Sequence, residues 1–328
     1  MDALSELLKA VKLSGAMFFN GECTAPWCLR SPPSQFFCPY IGPTAGHVIE
    51  FHLLTEGSGY VRVGEETTPL LAGDVLMLPH GDPHVMGNGV GAKEVDSASQ
   101  LPALLGGQLS LAYLGGGGER TRLICGYLSC DPGLIKPVLA GLPRVMRVHI
   151  RTDAAGEWLE NSIRHAVDRA GSAAPGSGVI LARLAEVLFA ETLLRYVSQL
   201  PPGRSGWLAG AADAAVGRSL AALHRKPAHP WTLDELAREA GLSRSALTER
   251  FARYLGQAPM AYLMEWRLAL GAEALRSTSR SVIQIAEAVG YDSEAAFNRA
   301  FKRRFGAPPA RFRRQSRAKP ARSASIPS

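Results

Sequence analysis

Cysteine and long uncharged hydrophobic runs are both scarce in this 328-residue sequence. Five cysteines are an odd number for a disulfide framework, which disfavours a secreted, disulfide-stabilised fold and favours a reducing cytoplasm. The most apolar stretch, residues 179–200, is interrupted by four charged residues, whereas a membrane-spanning helix needs about 20 residues with few charges. The first six residues include two acidic ones and no apolar core, so we expect neither a signal peptide nor a membrane segment.

Acidic residues are scarce in the last third of the chain. Residues 218–328 contain 20 Lys and Arg but only 9 Asp and Glu, whereas residues 1–217 contain 16 and 20. A net charge of +11 on the last third therefore contrasts with −4 on the rest. Such segregation indicates that the C-terminal part binds a polyanion.

The pattern of residues changes twice along the chain. From about residue 16 to 128, short β-type runs alternate with Gly and Pro, which is typical of a small β-barrel or jelly roll. From about residue 152, apolar residues recur at helical spacing. The sequence thus predicts an α+β protein with a β-barrel domain over 1–150, a helical connector over 151–203, an all-α domain over 204–317 and a disordered basic tail over 318–328.

The all-α part contains an internal repeat of about 50 residues. The segment 236–243 recurs as 285–292, and 251–259 recurs as 301–309 after a one-residue slip. In the first copy, Thr232 is the expected N-cap with Glu235 as its capping-box partner, Gly241 ends the helix, and Ser243 starts the next. In the second copy, Gly290 makes the turn and Asp292 is the expected cap. Each copy is a helix-turn-helix pattern.

The outward face of the second helix in each copy is polar and basic. Side chains in the first turns of such a helix reach base edges in the major groove. Asn298 suits adenine and Arg299 suits guanine, whereas Lys302, Arg303, Arg304 and the basic run 311–317 suit phosphates. The alternative is a helical bundle with a solvated basic face, which the two copies on one basic segment disfavour.

The run GYDSEAAFNRAFKRRFGAPPARFR resembles the C-terminal signature of AraC/XylS-type transcription regulators, and the resemblance spans about 217–314. It implies two helix-turn-helix subdomains, joined by a linker helix over 260–277, that read adjacent major grooves. It also implies which side chains face DNA in the two recognition helices. These are Arg244, Ser245, Thr248, Glu249 and Arg253 in the first, and Glu294, Ala295, Asn298, Arg299, Lys302 and Arg303 in the second.

A second motif lies in the β-rich part. Residues 73–88 match the second cupin motif, G-x5-P-x-G-x2-H-x3-N, at every fixed position, and Glu50 with Gly57 resembles the end of the first. The histidine pair expected before that Glu is absent. Glu50, His52 and His84 could converge in the barrel as a transition-metal site, for example for zinc, or they could be hydrogen-bonded barrel residues.

A cupin half, a helical connector and this C-terminal part together resemble the cupin-type subgroup of AraC regulators. Such regulators sense a signal in the cupin and often dimerise through the helices behind it. The expected partners are double-stranded DNA, RNA polymerase and a small-molecule, electrophile or oxidant signal, and activation and repression both stay open. The chain is not expected to be an enzyme; the alternatives are a metal-dependent cupin enzyme tethered to nucleic acid and a non-specific architectural DNA protein.

Two cysteines are candidates for redox sensing. Cys23 and Cys125 lie in or beside predicted strands at opposite ends of the β region, and a jelly roll can bring such strands together. A disulfide between them would require Cα atoms within about 7 Å. A Cys23–Cys28 bond is the other possibility, and a buried cysteine is otherwise an ordinary small hydrophobic residue.

Overall fold

The computed structural model describes residues 2–11, 13–41, 46–100, 111–172, 175–201 and 205–318. The chain forms two compact units. The β unit consists of residues 13–130 and 142–199, and the helical unit consists of residues 1–12, 131–141 and 200–328. Among the described residues, no helix has the length and hydropathy needed to cross a membrane.

Two sheets build the β unit. Their strands are β1 (Ser14–Thr24), β2 (Trp27–Ser31), β3 (His47–Glu56), β4 (Ser58–Val63), β5 (Glu66–Leu71), β6 (Asp74–Leu78), β7 (His84–Asn88), β8 (Glu94–Asp96), β9 (Leu111–Gly115), β10 (Arg120–Cys130) and β11 (Met146–His149). The strand order is β11-β6-β3-β10-β1-β9 in one sheet and β5-β4-β7-β2-β8 in the other. Apolar side chains from both sheets form one shared core, as in a jelly roll.

Strand β3 is central in its sheet and is buried along almost its whole length. Successive side chains of a strand point to opposite faces. Glu50 and His52 therefore share a face with Leu54, which belongs to the core between the sheets. Polar side chains thus enter the interior of the β unit at two successive inward positions.

In the described part of the β unit, three α-helices accompany the strands: α2 (Cys38–Ile41), α4 (Ala154–Gly171) and α5 (Ser177–Ser198). Helix α5 packs on β1, and Gly15 permits the close approach. A Cβ atom at Gly15 would lie 2.8 Å from the Cβ of Ala185, closer than two such atoms can come. The helices expected over 151–203 are thus present as the pair α4 and α5, which the structure places with the strands.

The helical unit contains the repeated module. Its helices are α1 (Ala3–Val11), α3 (Pro132–Leu139), α6 (Trp207–Ala212), α7 (Ala214–Arg225), α8 (Leu233–Ala240), α9 (Arg244–Leu255), α10 (Pro259–Ser277), α11 (Val282–Ala288), α12 (Glu294–Phe305) and α13 (Pro309–Ala318). The pairs α8–α9 and α11–α12 are the two helix-turn-helix modules, and α10 joins them. The disordered tail expected over 318–328 lies, except for Ala318, outside the described residues.

The compact units do not follow the boundaries expected from the sequence. Helices α1 and α3 lie within the span expected for the barrel domain, yet both belong to the helical unit. Helix α1 packs against α7, and α3 packs against α10. Asp131, the N-cap of α3, forms an ion pair with Arg276 of α10. An apolar helix face must be buried, but its spacing does not say against which partner.

Local signals set the helix ends in both modules. Thr232 accepts a hydrogen bond from the N–H of Glu235 at 3.2 Å, and Gly241 adopts φ +68° at the first turn. Gly290 adopts φ +87°, and a Cβ there would lie 2.7 Å from the Cα of Ala228. The prediction that Asp292 caps α12 is wrong: Ser293, one residue later, accepts from the N–H of Ala296. Both residue types are good caps, so sequence alone does not choose between neighbours.

Candidate functional sites

The first recognition helix, α9, buries one face and exposes the other. Leu247 and Phe251 are fully buried. Of the predicted DNA-facing residues, Thr248 is partly buried and donates its hydroxyl to the carbonyl of Arg244 at 2.8 Å. The others are exposed, namely Arg244, Ser245, Glu249 and Arg253.

An exposed ion pair holds the first of these side chains. Arg244 Nε lies 3.3 Å from Asp234 of the preceding helix. Exposed pairs of this kind contribute little stability, about 0–1 kcal/mol. Arg244 can therefore exchange this partner for a polyanion at small cost.

The second recognition helix, α12, presents a more basic face. Phe297 and Phe301 anchor it in the core. Asn298 is partly buried, with its amide 3.5 Å from the carboxylate of Glu294. The other predicted contact residues are exposed, namely Glu294, Ala295, Arg299, Lys302 and Arg303.

One ion pair ties α12 to the linker helix. Arg304 Nε donates to Glu265 Oε2 at 2.6 Å. Sequence reasoning assigned no role to Glu265, because its position in α10 does not reveal that it faces the second module. The pair links the end of α12 to α10, but both side chains are exposed, so it contributes little stability.

The structure brings the three candidate metal ligands together. Glu50 and His52 lie on β3, and His84 lies on β7 of the other sheet. All three are buried, and one ligand atom of each lies within 4.8 Å of the others. The two Nε2 atoms of His52 and His84 are 2.9 Å apart.

Burial sets the charge of these groups. It lowers the pKa of His52 well below its usual value, helped by the neighbouring His84, and lowers the pKa of His84 to about 4. Burial also raises the pKa of Glu50 to about 8. Both imidazoles are therefore neutral at pH 7, which is the form that binds metal.

The alternative of simple hydrogen-bonded barrel residues explains the histidines but not Glu50. His84 Nδ1 lies 3.1 Å from the carbonyl of Asp82, and the histidines contact each other. Glu50 Oε1 is buried and has no hydrogen-bond partner among the described residues. Two neutral imidazoles beside an unpartnered carboxyl oxygen fit a divalent transition metal such as zinc.

Cys125 is the neighbour that sequence reasoning did not connect with this cluster. It lies opposite His52 in the pairing of β10 with β3, and its Sγ is 2.8 Å from His52 Nδ1. A partner at Nδ1 orients the ring and leaves Nε2 directed at the other ligands. Only the strand register reveals this contact.

The pairing of β1 with β10 does not bring the expected redox pair, Cys23 and Cys125, close together. Cys23 lies opposite Thr121, and Cys125 lies opposite Phe19, so the two cysteines are offset by four residues along β1 and β10. At about 3.4 Å per residue this places their Cα atoms roughly 13 Å apart, beyond disulfide reach. Burial also raises the pKa of Cys23 to about 12 and that of Cys125 well above its usual value, which disfavours reactive thiolates.

Comparisons with known proteins identify the family. The model described as Cupin matches residues 2–198, and the model described as Helix-turn-helix domain matches residues 236–315. The chain is 33% identical to an AraC-like transcription regulator of Streptomyces antibioticus, over 82% of this chain and 88% of that protein. The chain belongs to the AraC family of transcription regulators.

Two further similar proteins cover different shares of the chain. The HTH-type transcriptional regulator AlkR of Acinetobacter baylyi is 28% identical over 96% of this chain and 100% of its own length. The crystal structure of an AraC-type transcriptional regulator from Chromobacterium violaceum is 30% identical, covers 34% of this chain and 98% of that chain, and has a TM-score of 0.32. Membership of the AraC family confirms the recognition and the α+β fold class predicted from the sequence, and these regulators do not favour the enzyme alternative.

Proposed function

We propose that this AraC-family protein is a sequence-specific transcription regulator that docks both helix-turn-helix modules in consecutive major grooves of DNA. The exposed polar face on each recognition helix supports this most, because it stands on a segment of net charge +11. In this proposal, Arg299 and Asn298 read bases, and Arg253, Lys302 and Arg303 hold phosphates. The macromolecular partners are double-stranded DNA and RNA polymerase, and the compartment is the cytoplasm.

The β unit is the sensor in this proposal. Its signal is a small molecule, an electrophile or an oxidant. Residues 131–141 supply a covalent route to the DNA-reading modules, because they lie in sequence between β10 and β11 and belong to the helical unit. Cys125, which contacts His52, is six residues from Asp131, which pairs with the linker helix.

Glu50, His52 and His84 hold a transition-metal ion, zinc for example, in the sensor. Three protein ligands leave a coordination position for a signal molecule. The unpartnered Glu50 oxygen and the neutral imidazoles support this assignment. The role is structural or sensory, in keeping with a family of regulators.

The protein acts as a homodimer through helix α5. Ile180, Val187 and Leu194 are about half exposed and recur every seven residues. Exposed apolar residues that share one face of a helix are typical of a surface that a partner covers. A second copy of α5 would cover it.

Two arginine substitutions test the DNA proposal. A duplex selected from a random library by the full-length protein should show protection over two consecutive major grooves. Arg299→Ala should cost roughly 1–3 kcal/mol of binding free energy and relax the preference at one base pair, whereas Arg303→Ala should weaken all duplexes alike. The Arg303→Ala variant should also lower the slope of log affinity against log salt by about one.

The control is Arg62→Ala, since Arg62 is exposed on strand β4 of the β unit. This variant should bind every duplex like the wild type. Equal wild-type affinity for all DNA sequences, unchanged by Arg299→Ala, would contradict sequence-specific recognition.

A further inference from the structure

The helical unit contains a cavity of about 390 Å³ that touches both DNA-reading modules. Its lining includes Leu255 at the end of the first recognition helix and Phe305 at the end of the second. The linker helix contributes Tyr262 and Trp266, and α3 contributes Lys136. The volume is within the range of small-molecule sites. An occupant would contact the ends of both recognition helices at once.

Four of the residues that line this cavity are aromatic. Trp207, Tyr262, Trp266 and Phe305 all line it. The Tyr262 hydroxyl accepts from Trp207 Nε1 at 2.8 Å and lies 2.7 Å from His224 Nε2, so hydrogen bonds fix two of the rings. Flat, rigid aromatic faces favour a planar aromatic ligand.

The indole N–H of Trp266 has no hydrogen-bond partner among the described residues. Trp266 is 3% exposed, and its Nε1 is buried with no hydrogen-bond acceptor among the described residues. A buried donor left unpaired in a native fold calls for an explanation. The Trp207 indole N–H in the same lining already donates to the Tyr262 hydroxyl. The Trp266 N–H is therefore the donor to which a ligand could offer an acceptor atom.

The charges of the lining favour an anion. Arg304 is paired with Glu265. Lys136 is exposed, and in the described part of the chain no carboxylate lies within ion-pair distance of its ammonium. The lining thus has one uncompensated positive charge together with the free indole donor.

We propose that this cavity binds a small planar aromatic anion, which supplies an acceptor to Trp266 Nε1 and negative charge near Lys136. The ligand fixes the ends of the two recognition helices against the linker helix and so sets their spacing on DNA. This regulatory part rests on the proposed function. Because Lys136 lies on α3, between strands β10 and β11 in sequence, the site also involves the segment that links the two units.

The binding test uses 2-naphthoate as the probe. Isothermal titration calorimetry of the full-length protein should give one saturable site. Trp266→Phe keeps a ring but removes the N–H, and Lys136→Gln removes the charge; each should weaken binding about tenfold, the loss of one hydrogen bond to a charged group. The neutral analogue 2-naphthamide should bind more weakly, and 2-naphthylmethylammonium should not bind.

Matched controls are Trp158→Phe and Lys93→Gln, which change the same residue types outside the cavity. Both should bind 2-naphthoate like the wild type. Thermal unfolding of Trp266→Phe near the wild-type temperature shows that the variant is folded. Absence of saturable heat at millimolar probe, or equal loss in variants and controls, overturns the site, as does equally tight binding of the cation.

A second readout separates this inference from the proposed function. Fluorescence anisotropy with the selected duplex should show that 2-naphthoate changes DNA affinity in the wild type but not in Trp266→Phe. Probe binding with unchanged DNA affinity overturns the regulatory part. A protein that binds the probe but no DNA sequence preferentially contradicts the proposed function and leaves the ligand site supported.

Discussion

The residues of the β unit that could bind a ligand or a metal are a few buried polar side chains, Glu50, His52 and His84. An ionised carboxyl group without partners is costly to bury, so it takes up a proton or binds a cation. Glu50, with its pKa raised to about 8 by burial, is largely protonated at pH 7 unless a cation is bound. In the proposed metal site, a cation bound beside the two neutral imidazoles would remove this cost.

Substitution of His84 tests the metal site. The wild-type protein should hold close to one transition-metal ion per chain by mass spectrometry of acid-digested samples. His84→Ala should abolish this content, because two remaining protein ligands are too few for a stable site. His80→Ala is the control, since His80 lies in the same motif but binds the carbonyl of Leu142 instead. Equally low metal content in the wild type, His84→Ala and His80→Ala would mean that the histidines are hydrogen-bonded structural residues and not metal ligands.

Helix caps decide where the recognition elements begin. Ser243 and Ser293 each accept a hydrogen bond from the backbone three residues on, and Ser281 forms a full capping box with Gln284. The N-cap fixes which residues fall in the first turn, and the first turn of a recognition helix faces the bases. A shift of one residue at a cap would therefore lengthen or shorten the first turn by one residue.

Substitutions at two neighbouring residues, Asp292 and Ser293, test which of them caps α12. Ser293→Ala should cost about 1 kcal/mol of local stability, because the N–H of Ala296 loses its acceptor. Asp292→Ala should change stability by less than about 0.5 kcal/mol, as expected for an exposed residue without such a bond. Hydrogen exchange of α12 peptides should accelerate about fivefold in the first variant only. Faster exchange in Asp292→Ala instead would restore Asp292 as the cap.

On the scale of the whole molecule, the excess of acidic residues and the excess of basic residues lie in different parts of the sequence. The acidic front part carries the sheets, and the basic last third carries the modules. The chain nevertheless leaves the β unit at residue 131 and returns at residue 142. In the proposed function, this excursion is a covalent connection between the sensor and the DNA-reading modules.

One substitution in α5 tests the proposed dimer. Val187→Glu places a charge in the centre of the stripe formed by Ile180, Val187 and Leu194, so it should shift the protein from dimer to monomer in analytical ultracentrifugation. Leu71→Glu is the matched control, because Leu71 is an exposed apolar residue on β5. Dissociation by Leu71→Glu but not by Val187→Glu would place the interface on the sheet instead.

The sequence by itself determined the features that depend on short spacing. The repeat, the turn glycines at 241 and 290 and the cap at Ser243 follow from local backbone preferences, which adjacent residues largely decide. The grouping of Glu50 with His52 follows from the alternation of a strand. His84 joined them through a motif of fixed spacing, and the structure brings all three together.

Tertiary structure decided what depends on register and on the choice of packing partner. It placed Cys125 against His52 and left Cys23 four residues away along the strands. It also assigned α1 and α3 to the helical unit and formed the cavity around Trp266. An apolar helix face or an inward-pointing strand residue must be buried, but many partners satisfy that requirement equally, and only the packed fold selects one.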